Sequence, residues 1–248
     1  MTATPTARPE RLYLMELMRT TAALPGAGVF EWIMPCYLVQ TTDGQNILID
    51  TGLPAGDTMP FLRPPEHERD VIAQLRDLGL RPEDISTVIA THLDPDHAGH
   101  HDDFPNAAFV IQRQALATAR AGDEGNPRAR ARPHWDAPGL HYRNVEGDTE
   151  LLPGLTLIAT SGHTIGHQSV LVRLPHTGSV LLAIDAVATG RQFVPDPAPG
   201  MFDTDFAQVC VSTRKLLALA EREQVVLTVF GHDGAQWKTL KRSPEYYD

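Results

Sequence analysis

Short apolar runs separated by turn residues recur along the chain, and they predict strands. The pair Asp43-Gly44 is a strong hairpin signal, because glycine allows the positive φ that a tight turn requires. Pro35 predicts an interruption, since proline cannot donate a hydrogen bond to a neighbouring strand. The predicted strands cover residues 11–18, 29–41, 46–50, 85–90, 107–112, 151–160, 168–174, 179–184 and 225–230.

Apolar residues at helical spacing predict three helices. The first covers residues 67–78, with its apolar positions on one face and Gly79 after its end. A short helix follows at 114–121, and Gly122 ends it. The third runs to Glu223 from a cap at Asp203 or Thr204. Its inward residues are expected to be Phe206, Val209, Cys210, Thr213, Leu216, Leu217 and Ala220.

The order of these elements predicts an α/β (α+β) fold in which two sheets pack together and helices cover their outer faces. Residues 1–10 are polar and contain proline, so we expect a flexible N-terminal tail followed by a single domain at 11–248. Loops are predicted at 20–28, 52–65 and 190–201, and the last is placed to cover a site. Residues 122–139 are rich in Arg, Gly and Pro and predict a surface excursion.

Composition narrows the function classes. The chain has 248 residues, 42% of them apolar, and a formal net charge of −10. This acidity argues against nucleic acid or an anionic membrane as a partner. The start shows no apolar signal segment, and no apolar run reaches the roughly 18 residues that span a bilayer. Cys36 and Cys210 are expected to stay unpaired in a reducing compartment, so a cytoplasmic location is expected.

A cluster of metal-competent side chains follows the apolar run at 85–90. His92, Asp94, Asp96 and His97 lie within six residues of one another. A strand that ends in such a loop presents imidazoles and carboxylates together, and these groups bind divalent cations. For this loop alone, an acidic surface turn is the alternative.

The same arrangement recurs elsewhere, because apolar strands repeatedly end in His or Asp beside glycine. These ends carry Asp50, His163, Asp185 and His232 in addition to His92. One such residue is more often structural than functional, but five in one chain favour a common site. Side chains at strand ends are held by a rigid sheet, while the loops between them form a pocket.

The chain resembles the metallo-β-lactamase superfamily, whose motif is His-x-His-x-Asp-His followed by a distant His, a bridging Asp and a final His. The matching residues are His92, Asp96, His97, His163, Asp185 and His232. Residues 50–52 match the upstream turn of the family. The resemblance implies a four-layer αββα sandwich with the metals at one edge between the sheets. Residues 34–39 and 162–169 further resemble the N-acyl homoserine lactonases and the related pyridoxolactonase.

The resemblance implies a dinuclear metal-dependent hydrolase that opens a lactone, similar to an N-acyl homoserine lactone, or another ester-type bond. The implied ligands are His92, Asp94 and His163 for one metal, Asp96, His97 and His232 for the other, and Asp185 as the bridge. Three carboxylates facing two dications leave a positive charge that favours a bridging hydroxide as nucleophile. Asp185 and Asp96 are the expected catalytic residues, and Asp96 would pass a proton to the leaving alkoxide.

Two departures from the family pattern keep alternatives open. Asp94 stands where the superfamily usually has its second His, so it binds a metal through oxygen or does not bind at all. Zinc is favoured, but a carboxylate there also suits iron or manganese and leaves open a diiron redox protein. Ala188 replaces the Tyr that the lactonases carry three residues after the bridging Asp. Together, the two changes also allow a non-catalytic binding protein with a degenerate site.

The expected partner is a small-molecule substrate, and a homodimer is allowed. Phe193, Met201 and Phe202 lie near the proline-rich loop and are expected to line an apolar substrate pocket. Residues 122–147, which contain this excursion, carry further ring side chains, and these are expected at the rim of the pocket or in ordinary surface packing. They are His134, Trp135, His141 and Tyr142.

Other polar residues near the motif are expected to support the ligands. Asp50 and Thr164 are candidates to hydrogen-bond the ligand imidazoles, as metal-binding histidines usually require. His167 is expected to pack behind the ligands. His100 and His101 are expected to begin a solvated helix.

Overall fold

The computed structural model describes residues 7–24, 28–122 and 127–248, and within them the strands form two sheets. The larger sheet contains β1 (Pro9–Leu24), β2 (Gly28–Thr41), β3 (Asn46–Ile49), β4 (His67–Glu68), β5 (Thr87–Ile89), β6 (Ala108–Gln112) and β7 (His141–Val145). Its strand order is β4-β1-β2-β3-β5-β6-β7. Strands β4, β1, β2 and β3 pair antiparallel, whereas β3, β5, β6 and β7 pair parallel.

The second sheet has five strands in the order β12-β11-β10-β9-β8. They are β8 (Thr149–Leu152), β9 (Leu155–Ala159), β10 (Gln168–Leu174), β11 (Gly178–Ile184) and β12 (Leu227–Phe230). The pairs are antiparallel except for β11 with β12, which run parallel. Because β11 and β12 point the same way, the residues that follow them emerge at one edge of this sheet.

Helices cover the outer faces of both sheets. The α-helices are α1 (Val71–Asp77), α2 (Pro95–Ala98), α3 (Arg113–Ala121), α4 (Arg132–Trp135), α5 (Phe206–Arg222) and α6 (Gly234–Trp237). Helix α1 packs on the larger sheet, and α5 packs on the smaller one. The predicted four-layer αββα sandwich is therefore confirmed.

Alternation along β1 shows why the larger sheet is buried on both faces. Leu12 and Leu14 join the core between the two sheets. Tyr13, Met15 and Leu17 point the other way and join the core under α1. A strand with period-two alternation normally buries one face, but here both sets are apolar because both faces are covered.

Several strand predictions need correction. The tail predicted at 1–10 lies partly outside the described residues, and its last two residues belong to β1. The loop predicted at 20–28 is instead the end of β1 and the start of β2, since Ala22 is buried against Trp32 in a small cluster. Pro35 does not interrupt β2, because the partner strand has an irregular register between Glu16 and Met18 at that point. The strand predicted at 151–160 is two strands joined by a turn that contains Gly154.

The helix predicted at 67–78 begins later than expected. Residues 67–68 form β4, which pairs with β1. Asp70 then caps α1 by accepting a 2.7 Å hydrogen bond from the backbone N–H of Ala73. Within the excursion predicted at 122–139, the described part folds inward at α4, where Trp135 is 1% exposed and packs in a cluster with Leu93.

The long helix α5 also differs at its start. Its cap is Asp205, which accepts a hydrogen bond from the N–H of Gln208, and not Asp203 or Thr204. Those two residues instead stabilise the preceding loop. The carboxylate of Asp203 accepts a hydrogen bond from the N–H of Gly200, and the hydroxyl of Thr204 donates one to the carbonyl of His163. Of the expected inward residues, Phe206 is 39% exposed, since the helix turns its first residue to solvent.

Both cysteines are free, as predicted. Cys36 is buried, and Cys210 is half-buried on α5. Within residues 7–24, 28–122 and 127–248, none of the helices has the length and apolar character that crossing a membrane requires.

Candidate metal centre

The sequence places chemically active residues at strand ends, and the topology brings these ends together. In the larger sheet, Asp50 follows β3 and His92 comes three residues after β5, which runs parallel to β3. In the smaller sheet, Asp185 follows β11 and His232 comes two residues after its parallel neighbour β12. The turn between β9 and β10 contributes His163. All of these residues therefore meet at one edge of the sandwich.

Asp185 is surrounded by four imidazoles. Its Oδ2 lies 3.0 Å from Nε2 of His232, 3.4 Å from that of His163, 3.5 Å from that of His97 and 3.9 Å from that of His92. A carboxylate that faces four ring nitrogens at these distances is in the position expected of a bridging ligand.

The remaining predicted residues complete three overlapping groups. Their potential ligand atoms lie within 4.8 Å of one another in each of the sets His92–Asp94–His163, His92–His97–Asp185 and Asp96–His97–His232. Asp94 points into the first set, since its Oδ2 is 3.2 Å from Nε2 of His163 and 3.8 Å from that of His92. The structure thus brings together all seven side chains that the sequence nominated.

Unsatisfied buried atoms test whether this cluster suits a metal. Nε2 of His92, Nε2 of His97 and Oδ1 of Asp185 are buried and have no hydrogen-bond partner among the described residues. Buried polar atoms nearly always have a partner, and isolated ones are strongly unfavourable. Lone pairs that face a common centre are satisfied by a bound cation, so the residues fit a metal site.

Electrostatics at the cluster also favour a cation. Burial would lower the pKa of His97, but the carboxylates of Asp185 and Asp96 raise it well above its usual value. Burial would likewise raise the pKa of Asp185, but His232 and His97 hold it well below its usual range. Burial and the nearby His97 lower the pKa of His92 well below its ordinary value. The carboxylates therefore draw positive charge to the centre, which divalent cations can supply.

Outer contacts fix the orientation of the ring nitrogens. Asp50 lies 2.9 Å from Nδ1 of His97, as the sequence analysis expected. Nδ1 of His232 donates to the carbonyl of Ile33 at 2.7 Å. Thr164 does not serve this purpose, because its hydroxyl has no partner among the described residues. Bonds of this kind leave Nε2 free to face a metal.

Two residues beside the cluster have a strained backbone with a positive φ, which the sequence did not predict. Asp50 has φ of 59° and Ile184 has φ of 52°, a conformation that is a genuine outlier for a β-branched residue. Ile184 directly precedes Asp185, and a Cβ added to Gly231 would lie 2.6 Å from Oδ1 of Asp185. Strain of this kind persists only where the surrounding structure enforces it, and it concentrates at functional sites.

A cavity of about 960 Å³ opens above the cluster. Asp96, Asp185 and His232 are among the residues that line it, and aromatic rings form one wall. The rings contact one another in sequence, with centroids 5.8 Å apart for Phe30–Trp32, 5.6 Å for Trp32–Phe61 and 5.0 Å for Phe61–Phe202. Such a wall suits an apolar group of a small-molecule substrate.

Two of the three residues predicted to line a substrate pocket lie at this cavity. Met201 and Phe202 line the cavity. Phe193 is not among the residues that line it, because its ring packs on Phe230 at 5.6 Å beside the core under α5. Trp32 was missed, although it stacks on His232 with ring centroids 4.1 Å apart.

Three histidines near the cluster, His100, His101 and His167, are buried rather than solvated. His100 is 8% exposed and His101 is 0% exposed, so the prediction of a solvated helix start is wrong. His101 lies 2.9 Å from the hydroxyl of Tyr142, and burial lowers its pKa to about 3. His167 packs behind the ligands as predicted, with its ring 4.9 Å from that of His92.

The rim predicted from the excursion is not formed by the expected residues. Trp135 is buried, and Tyr142 packs against Phe109. His134 bonds Asp102 at 2.9 Å. Trp135 and Tyr142 pack with Leu93 of the metal loop, whereas His134 stays partly exposed.

Comparison with known proteins places the chain in a family. The sequence model of the metallo-beta-lactamase superfamily matches residues 32–232. The chain belongs to the metallo-beta-lactamase superfamily. The matched segment contains all seven clustered residues.

Lactonases of this superfamily are similar to the chain along most of its length. The N-acyl homoserine lactonase of Bacillus cereus is 34% identical over 226 residues, which is 85% of each chain. N-acyl homoserine lactonase AttM of Rhizobium johnstonii is 33% identical over 238 residues, 88% of each chain. An AiiA variant from Bacillus thuringiensis, solved with N-decanoyl-L-homoserine at its active site, has a TM-score of 0.84 and 28% identity, covering 97% of this chain and 100% of that chain.

One cavity position departs from the lactonases that the sequence resembles. Ala188 lines the cavity with a methyl group, at the position where the resemblance implied a Tyr. Its carbonyl accepts a 2.8 Å hydrogen bond from the N–H of His232, so the backbone still supports a ligand. This chain therefore has no phenol at position 188.

Proposed function

We propose that the protein is a metal-dependent hydrolase that opens the ring of N-acyl homoserine lactones. The observation that carries the proposal is the cluster of four imidazoles and three carboxylates at the base of an aromatic-walled cavity. The lactonases that are similar over 85% or more of the chain support this substrate class. Hydrolysis adds water across the ring C–O bond, leaving a carboxylic acid and a free hydroxyl.

Two divalent cations, which we propose to be zinc, would polarise the substrate carbonyl and activate water when bound. The proposed ligands are His92, Asp94 and His163 for one cation, Asp96, His97 and His232 for the other, and Asp185 between them. Iron or manganese would also be accepted, because Asp94 supplies an oxygen where the superfamily usually supplies nitrogen.

Asp96 is the residue we propose to carry the proton to the leaving oxygen. It lines the cavity and is 5% exposed, so a substrate seated there would meet its carboxylate. Burial raises the pKa of Asp96, although His97 and His232 oppose this. A carboxylate at this place can accept the proton that the attacking water loses and release it to the alkoxide.

The aromatic wall would bind the acyl chain. Each buried methylene contributes about 0.8 kcal/mol, so the four extra methylenes of a decanoyl over a hexanoyl chain would contribute up to about 3 kcal/mol. The cavity is open to solvent on one side, so about half of this would be realised. We therefore expect KM to fall about tenfold from hexanoyl to decanoyl substrate.

The test measures ring opening of N-hexanoyl and N-decanoyl homoserine lactone by metal-free protein reloaded with zinc, manganese or iron. Aryl esters and an unacylated γ-lactone serve as comparison substrates. The proposal expects metal-dependent opening with a preference for the longer acyl chain, and loss of activity in Asp185→Ala. Absence of turnover with every metal, or equal activity without metal, would refute it.

A diiron redox protein is the alternative that Asp94 favours. Its carboxylate faces His92 and His163, and oxygen ligands suit iron. Iron bound in place of zinc after aerobic and anaerobic expression, with no lactone turnover, would favour this function. Metal binding without turnover of any lactone or ester would instead favour the alternative of a non-catalytic binding protein. Cytoplasmic location, a homodimer and the absence of nucleic-acid and membrane partners remain predictions from the sequence.

A further inference from the structure

Arg128 lies against the metal loop, in a 3-10 turn at Pro127–Ala131. Its Nη1 is 3.0 Å from Oδ2 of Asp94 and 3.2 Å from Oδ1. The same nitrogen is 3.5 Å from the carbonyl of His163, and Nη2 donates to the carbonyl of Phe202. One guanidinium therefore joins the metal loop, the turn that carries His163 and the loop that precedes α5.

Asp94 depends on this contact more than a histidine would. A carboxylate is short, charged and free to rotate, whereas an imidazole is neutral and is held through its second nitrogen. Among the described residues, the hydrogen bonds that reach the Asp94 carboxylate come from Arg128 and His163. Asp94 is the N-cap residue of α2, but its side chain makes no capping hydrogen bond there.

We propose that Arg128 is a positioning residue for the metal centre. Its guanidinium holds Asp94 with one oxygen directed at the ring nitrogens of His92 and His163. The ion pair is also neutral overall, so it matches the charge of the neutral imidazole that the superfamily usually has at this position. The inference rests on the proposed metal site and adds a residue that the superfamily motif does not contain.

Two effects of Arg128 on metal affinity oppose each other. A cation near a metal site repels the metal, so removing it would tighten binding. Arg128 also contacts two of the proposed ligands through Nη1, namely the carboxylate of Asp94 and the carbonyl of His163. Losing such an outer partner weakens metal affinity by about 10–100-fold. Its side chain is 31% exposed, so water screens the repulsion. Positioning is therefore the larger effect.

The experiment measures zinc affinity of metal-free protein by competition with a chromophoric chelator. Arg128→Met is expected to bind the weaker of two zinc ions about tenfold less tightly than wild type. Arg128→Lys keeps the charge but loses the second nitrogen that anchors the side chain on the carbonyl of Phe202, so it is also expected to bind zinc less tightly. Arg130→Met is the matched control, because Arg130 pairs with Asp57 at 3.3 Å and contacts none of the proposed ligands. It is expected to stay within about twofold of wild type.

A second pair of variants separates positioning from a general loss of structure. Asp94→His removes the carboxylate and leaves Arg128 only the long 3.5 Å contact with the carbonyl of His163 among the proposed ligands. Adding Arg128→Met to this variant should therefore change zinc affinity less than twofold. Far-UV circular dichroism and the Tm of metal-free protein report whether each variant folds. Unchanged or tighter zinc binding by folded Arg128→Met, or an equal loss in both backgrounds, would overturn the proposal. Failure of wild type to bind zinc at all would remove the proposed function as well.

Discussion

Replacing Asp50 with asparagine removes one charge and keeps the shape of the side chain. Asp50 is 0% exposed and accepts hydrogen bonds from the backbone N–H of Thr91 at 2.8 Å and from its hydroxyl at 2.7 Å. The same Oδ2 that accepts from the hydroxyl lies 2.9 Å from Nδ1 of His97. In the variant, the amide oxygen can still accept from the N–H of Thr91, so the amide nitrogen occupies the position of Oδ2.

This exchange inverts the ring tautomer of His97. The amide N–H donates to Nδ1, so the ring proton moves to Nε2, which faces Asp185 and Asp96 at 3.5 and 3.6 Å. A protonated ring nitrogen has no lone pair for a cation. The expected loss of metal affinity is about 10–100-fold, or about 1.4–2.7 kcal/mol.

The assay is chelator competition on metal-free protein, with long-range proton–nitrogen NMR of the imidazoles to identify the tautomer. Asp103→Asn is the matched control, because Asp103 makes the same kind of bond to Nδ1 of His100 at 2.7 Å, outside the cluster. That control should leave metal affinity unchanged. Wild-type affinity in folded Asp50→Asn would refute the reasoning, since Asp50 would then not set the tautomer of a metal ligand.

Two further predictions concern packing and pH. Gly231→Ala places a Cβ 2.6 Å from Oδ1 of Asp185, so we expect metal content to fall well below that of wild type; full metal occupancy would contradict this. Burial would raise the pKa of Glu16, but hydrogen bonds from Arg19 and Arg242 at 2.6 and 2.9 Å lower it. The stability from these bonds is present above the unfolded pKa of about 4.3 and is lost as the pH falls through the lower folded pKa. Glu16→Gln should lower the free energy of unfolding at neutral pH by about 1–3 kcal/mol and lose part of the acid dependence, as chemical denaturation at several pH values would show. An unchanged pH slope would contradict the assignment.

The sequence predicted the metal cluster well because strand ends are local features. An apolar run that ends in His or Asp places that residue at a sheet edge, and parallel neighbours share the edge. His92 and Asp185 were found in this way, one in each sheet. The packing of the two sheets then places these edges side by side.

The cavity and its supports were harder to predict because their partners are distant in sequence. Trp32 stacks on a ring 200 positions later, and Arg128 bonds Asp94 34 positions earlier. The buried ring of His101 is hydrogen-bonded to the hydroxyl of Tyr142, which lies 41 positions later. The spacing of apolar residues along the chain does not indicate any of these contacts. The same holds for the cap of α5, which is Asp205 because the two predicted candidates, Asp203 and Thr204, make other hydrogen bonds.

The most direct test of the central claim is a titration of metal-free protein with zinc while ring opening of N-decanoyl homoserine lactone is followed. If the clustered side chains hold two cations that act together, activity will rise with added zinc and stop rising at two equivalents per chain. Activity that saturates at one equivalent, or no activity at any ratio, would contradict the account.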